Sequence, residues 1–281
     1  MDAGSQTSKT AETEARALRA AAAVATGLGA RTEDSSIIAA GSNVLVLLRP
    51  VGAVARVMTG TADLREGDLR VWLEREVAVA QFAADRGAPV VAPSGALPPG
   101  PHERDGLWMT FWEPIDHDPS LPVDPEEVGR SLRALHDALA DYPGELRPLR
   151  AVHGEIERLI HQAGGPDAHA RHAELRRQLP IVFEGATRTQ ALHGDVTIGN
   201  TLRTPAGLLW NDFEDVCRGP VEWDVAGLLG AAEVRGLGDD FADAMLAGYG
   251  WTERAALEPF LEAHMLYVHA WQATRPDATP Q

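Results

Sequence analysis

One stretch limits what this chain can fold into more than any other. It is His193-Gly194-Asp195-Val196-Thr197-Ile198-Gly199-Asn200, followed twelve residues after Asn200 by Asp212-Phe213-Glu214. Ala191–His193 reads as the end of a short apolar strand. Asn200–Arg203 and Leu208–Asn211 read as a hairpin closed by the turn Thr204-Pro205-Ala206-Gly207. A carboxylate at Asp195, on the loop leaving a strand, can orient a hydroxyl and accept its proton. The amide oxygen of Asn200 and the carboxylate of Asp212, brought together by the hairpin, are hard oxygen donors. With phosphate oxygens and water they would complete the shell of a magnesium ion.

The rest of the chain arranges itself around that block. After a polar leader, Met1–Thr10, the alanine-rich stretch Ala11–Thr26 predicts a helix stopped by Gly27 and Gly29. Ser36–Ala40, Asn43–Arg49 and Ala53–Thr59 are apolar or β-branched runs separated by Gly41 and Pro50-Val51-Gly52, the pattern of a β-meander. Leu69–Arg86 returns to helical spacing. Pro89–Ala92 and Leu107–Trp112 are candidate strands on either side of the Pro/Gly-rich loop Pro93–Gly106. Beyond Glu113-Pro114 helices are expected over Pro125–Ala140, Gly154–Ala163, Asp167–Gln178, Val221–Val234, Asp239–Gly248 and Thr252–Ala273.

At these residues the sequence resembles the aminoglycoside phosphotransferase and choline-kinase-like family. The family's H-G-D-x-x-x-x-N is met by His193–Asn200, and its D-x-E-x-x-x-x-G-x-x-x-x-D-x-A by Asp212, Glu214, Gly219, Asp224 and Ala226. Further upstream, Gly41, Ser42 and Asn43 look like the nucleotide-positioning loop. Arg56 looks like the basic residue on the α/β phosphates, with Glu76 its helix partner, and Leu107–Glu113 looks like the last strand and hinge. The resemblance spans roughly residues 35–271 and implies an α+β, bilobal protein-kinase-like fold. The N-lobe would be an antiparallel β-sheet over 11–113, after a flexible leader 1–10, and the C-lobe a larger, mainly helical one over 114–281.

The same resemblance implies residue roles. Asp195 would be the catalytic base or hydroxyl-orienting group, and Asn200 and Asp212 the Mg2+ ligands. His193 would fix the loop and Asp224 would brace it. Backbone groups at Phe111, Trp112 and Glu113 would meet adenine. Glu214, Asp215, Glu262 and Trp271 are candidates for the acceptor site. ATP is the expected nucleotide, with GTP the alternative. Many family members carry lysine where this chain has Arg56, and a guanidinium fork still holds phosphate in two places.

Composition narrows the chemistry further. The chain has 25 basic and 41 acidic residues, net −16, which excludes a phosphate-backbone binder that works by counterion release. Its one lysine, Lys9, precludes a Gly-Lys-Ser/Thr phosphate loop and a Schiff-base lysine in a folded core. Through Glu113 there are 11 basic and 14 acidic residues, net −3; beyond it, 14 and 27, net −13. No apolar run approaches the roughly 20 residues of a membrane span, and no secretory leader is evident. The single cysteine, Cys217, forbids an internal disulfide and fits a reducing cytoplasm, where it is expected to pack rather than react. His169 and His172 share a helical face, but no third ligand accompanies them, so surface or packing roles are expected. The function expected is ATP-dependent phosphorylation of a hydroxyl on a small molecule, first an aminoglycoside-like or other antibiotic. A metabolic kinase for choline, homoserine or a sugar, or a pseudokinase-like nucleotide-binding protein, are the alternatives.

Overall fold

The computed structural model describes residues 3–60, 62, 67–149, 160, 165–184 and 189–274, the side chains at 3–9, 271 and 274 excepted. The chain divides into two compact units: Met1–Gln81 with Val91–Asp116, and Phe82–Val90 with His117–Gln281. The fold is α+β.

The first unit is a five-stranded antiparallel sheet in the order β1-β2-β3-β5-β4, with β1 Ser36–Ala40, β2 Asn43–Leu48, β3 Ala53–Met58, β4 His102–Arg104 and β5 Leu107–Trp112. Strand β2 alternates, so Val44, Val46 and Leu48 are buried. They share a core with Ala17, Ala20, Ala21 and Ala25 of helix α1, Ala3–Gly27. Small side chains on α1 let the helix lie close to the sheet, and each buried Val or Leu gains roughly 1.5–3 kcal/mol from leaving water. The helix thus starts at Ala3, ahead of the expected Ala11. Helix α2 is Leu69–Ala84.

Two expectations about this region change. Pro89–Ala92 forms no strand: it makes a single bridge, Val90 with Trp210, because prolines at 89 and 93 supply no ladder donors. The loop Pro93–Gly106, in contrast, contains β4. Arg104 pairs with Leu107 across a two-residue turn in which Asp105 and Gly106 both have positive φ, 55° and 73°. Asp-Gly is the pair that favours such a hairpin turn.

The second unit holds α3 Pro125–Leu139, α4 Pro166–Glu184, β6 Thr189–Leu192, β7 Thr201–Thr204, β8 Gly207–Trp210, β9 Cys217–Pro220, α5 Val221–Val234, α6 Asp239–Tyr249 and α7 Glu258–Thr274. Asp124 caps α3 by accepting from Glu126 N at 3.0 Å, with Pro125 in the first turn. Helices α3 and α6 touch backbone to backbone. A Cβ at Gly129 would fall 2.0 Å from Met245 O, and one at Gly248 2.1 Å from Glu126 O. Helix α4 runs through Pro180, past the expected end at Gln178, because Leu179 and Val182 reach the core shared with Phe260 and Ala263 of α7. The helix expected over Gly154–Ala163 lies outside the described residues, Ile160 excepted. Strand β9 pairs antiparallel with β6, Leu192 opposite Cys217, and β7 pairs with β8, Thr201 opposite Trp210. Among the described residues no helix is long and apolar enough to cross a membrane.

Candidate active site

Strand β6 ends at Leu192 and the chain turns through Gly194, whose φ is 89°. A Cβ there would lie 2.1 Å from Asp215 O, so conformation and space both demand glycine. Asp224, in the first turn of α5, holds the turn in place. Its Oδ1 accepts from Gly194 N at 3.1 Å and its Oδ2 from His193 N at 2.9 Å. Trp223 Nε1 donates to Gly194 O at 3.3 Å.

His193 is fully buried between Trp210 and Phe213, and burial lowers its pKa, which keeps the ring neutral. Its Nε2 donates to Asn211 O at 2.9 Å. The imidazole therefore ties the exit of β6 to the exit of β8, one residue before Asp212. Asp212 has φ 63° and ψ 64°, a left-handed conformation that a non-glycine residue adopts at a cost.

The loop between these ends closes on itself. Thr197 Oγ1 accepts from Asn200 N at 3.3 Å and caps the single 3-10 turn Ile198–Asn200. Asn200 Nδ2 donates to Asp195 O and Asp195 Oδ2, both at 2.9 Å. With the amide nitrogen committed, the Asn200 side chain offers its oxygen. Asn211 N donates to Asn200 O at 3.0 Å, so the hairpin register brings the Asn200 and Asp212 ends of β7 and β8 together. Asp195 is half-buried. Burial first, and then the charge of Asp215, pushes its carboxyl up to about 7 against the opposing Asn200 hydrogen bond. Glu214 and Asp215, also half-buried, add negative potential at Asp195.

In the other unit Arg56 of β3 and Glu76 of α2 form a buried ion pair, Nη2 to Oε2 2.5 Å. This is no solvated surface contact: the side chains are 8% and 1% exposed. At the β1–β2 turn, Gly41 N donates to Asn43 O at 3.0 Å. Gly60 backs this turn so closely that a Cβ there would be 2.7 Å from Ser42 O. Gly41 also lines a shallow concavity of about 370 Å³ with Thr13 of α1 and Thr59.

The remaining candidate residues make the following contacts. Phe111 N donates to Pro99 O, Ser94 N to Phe111 O, and Glu113 N to Ala92 O. Trp112 pairs with Val54, and its indole donates to Thr110 Oγ1. The N–H groups of Phe111 and Glu113 are thus spent inside their own unit, and the Glu113 carboxylate accepts from Gly95 N at 2.6 Å. Glu262 is exposed and accepts from Gln178 Nε2 of α4 at 3.0 Å, so its carboxylate faces α4. Trp271 lies in α7, its side chain outside the described residues. His172 is buried and His169 exposed, and no three His, Cys, Asp or Glu side chains converge as a metal cage among the described residues. Cys217 is fully buried, which pushes its thiol pKa up and leaves it a packing residue.

The sequence reading assigned no site role to His136, Trp223 or Tyr249. Their signal was weak, since each sits at a helical position that apolar periodicity alone explains.

A profile of the phosphotransferase enzyme family (APH) matches residues 63–260. No curated protein sequence matches the chain. Among solved structures the chain is similar to an amicoumacin kinase in complex with AMP-PNP, Ca2+ and Ami, with TM-score 0.69, 14% identity, and 86% of this chain and 81% of that chain covered. It is also similar to the choline kinase LicA from Streptococcus pneumoniae, with TM-score 0.66, 14% identity, and coverage of 92% and 90%. A third likeness is to the aminoglycoside phosphotransferase APH(3'')-Id from Streptomyces rimosus, with ADP and streptomycin, at TM-score 0.63, 16% identity, and coverage of 87% and 98%. At these identities the likeness is one of fold, the protein-kinase-like α+β fold. Because the profile spans well over half of the 281 residues, the chain belongs to the phosphotransferase enzyme family.

Proposed function

We propose that the chain transfers the γ-phosphoryl group of a nucleoside triphosphate, ATP first, to a hydroxyl of a small molecule. The observation that carries this reading is the double hydrogen bond from Asn200 to Asp195 beside Asp212, which organises a carboxylate base and two hard oxygen donors on one loop and hairpin. Asp195 orients the acceptor hydroxyl and takes its proton. Asn200 Oδ1 and the Asp212 carboxylate fit a divalent cation such as Mg2+, and they would hold it with phosphate oxygens and water completing the shell. When bound, that ion neutralises charge on the phosphates. Arg56, oriented by Glu76, clamps the phosphates through its guanidinium fork. The nucleotides in related structures, AMP-PNP and ADP, and the Ca2+ in one of them support this assignment.

For the acceptor, an aminoglycoside-like or other antibiotic is the first choice. Residues 114–281 carry a net charge of −13, and their field favours a cationic alcohol. A metabolic amino alcohol is the second reading, favoured by the likeness to choline kinase and to a microcompartment-associated aminopropanol kinase. A coupled ADP-release screen over aminoglycosides, macrolides, nucleoside antibiotics, choline, aminopropanol and sugars separates the two. It should find an acceptor whose turnover falls by about 10²–10⁴-fold in Asp195→Ala. Undiminished turnover in that variant sinks the mechanism. Tight Mg-ATP binding with no acceptor on the panel points to a nucleotide-binding protein without turnover.

A further inference from the structure

Behind the Asp195 loop lies a buried polar chain that the proposed mechanism does not use. Asp224 Oδ2, besides accepting from His193 N, accepts from His136 Nε2 of α3 at 3.0 Å. On the other side of the ring, His136 Nδ1 lies 2.8 Å from the hydroxyl of Tyr249, at the end of α6. His136 and Asp224 are almost wholly buried and Tyr249 is 6% exposed, so water does not compete for these bonds. Asp224 can only accept, which puts a proton on Nε2, while Nδ1 shares its hydrogen bond with the Tyr249 hydroxyl. Burial raises the phenol pKa, which keeps the Tyr249 hydroxyl protonated. The ring is also held edge-on to Tyr249, centroids 5.6 Å apart, and Gln190 Nε2 anchors the backbone beneath it by donating to His136 O at 2.7 Å.

We propose that Tyr249 and His136 are positioning residues for phosphoryl transfer. Tyr249 fixes the orientation of His136, His136 fixes Asp224, and Asp224 fixes the His193 and Gly194 amides from which Asp195 projects. The proposal rests on the phosphotransfer reading for its kinetic consequence, though not for its hydrogen bonds. Neither residue meets substrate, so loss of the chain should lower kcat and leave both KM values alone.

The test uses the full chain with an acceptor found in the ADP-release screen. Tyr249→Phe, which removes one oxygen, should lower kcat about tenfold with KM for ATP and acceptor unchanged within about twofold. His136→Gln places an amide nitrogen near the former Nε2 and should keep about tenfold more kcat than His136→Asn, whose nitrogen falls near Nδ1. In ¹⁵N-histidine NMR at mildly alkaline pH, the wild type should show a His136 Nε2–H protected from solvent exchange, told apart from that of His193 by its absence in His136→Gln, and Tyr249→Phe should lose that protection. Wild-type kcat in Tyr249→Phe overturns the proposal, as does equal activity in the two His136 variants. If Tyr249→Phe does not fold, the His136 pair decides. If nothing is turned over, the phosphotransfer reading fails, and the protected His136 Nε2–H alone upholds or removes the hydrogen-bond chain.

Discussion

Asn200 commits its side-chain nitrogen to Asp195 twice, at the backbone oxygen and at the carboxylate, both at 2.9 Å. In the proposed mechanism, the same bonds orient its oxygen as a cation ligand and Asp195 as the base. A carboxylate at this position would keep a metal-binding oxygen but lose both donors, and would place like charges side by side. Asn200→Asp should therefore retain divalent-cation binding in titration calorimetry while kcat falls about 10²-fold or more. Loss of cation binding together with unchanged kcat would separate the two roles assigned here.

In the proposed mechanism, the buried Arg56–Glu76 pair joins stability to nucleotide affinity. Arg56→Ala removes the guanidinium from a buried carboxylate, at a cost of about 3–5 kcal/mol. Arg56→Lys keeps a cation but not the planar fork, so its loss should be smaller. Thermal unfolding should rank the variants wild type, Lys, Ala, and the KM for ATP should rise in the same order. A KM that does not move means the phosphate clamp lies elsewhere.

Gly194 leaves little room for any substitution. In Gly194→Ala the new methyl carbon would sit 2.1 Å from Asp215 O at a φ of 89°. The turn must open, breaking the hydrogen bonds to Asp224. Denaturant unfolding should show a loss of about 2 kcal/mol or more, and activity should fall by more than the unfolded fraction accounts for. Wild-type stability in this variant would contradict the geometry of the turn.

His264 gives the fold an acid limit. It is buried against Trp223, its Nδ1 has no hydrogen-bond partner among the described residues, and burial pushes its pKa down to about 4, opposed by Asp224. Above pH 6.5, the ordinary value, the ring is neutral in both folded and unfolded chains. As pH falls from there to about 4, only the unfolded chain takes up the proton, so stability declines by about 3 kcal/mol and then levels off. The slope of unfolding free energy against pH should flatten across this window in His264→Phe. An unaltered slope would assign the acid sensitivity to other groups.

The sequence was most informative where chemistry restricts residue type. Asp195, Asn200 and Asp212 fall at one loop and hairpin because the strand signals around them were unambiguous, and β5 and α5 match their expected spans to the residue. Strand β9 escaped notice because Cys-Arg-Gly-Pro has no β-branched residue and no alternation; only its partner β6 makes it a strand. Helix α4 outruns Pro180 because packing against α7 outweighs one lost hydrogen bond. The apolar period of α3 predicts His136 as buried, but its pairing with Tyr249, 113 residues away, is a property of the α3–α6 contact and has no local signature.

In the proposed site, the arginine at position 56 also bears on which reagents react there. Nucleotide analogues bearing an amine-directed electrophile react with a deprotonated lysine beside the phosphates, and a guanidinium stays protonated and unreactive. The only lysine in the sequence is Lys9. On the proposed reading, such probes find no amine at position 56, and an inhibitor built on the same warhead gains no anchor there.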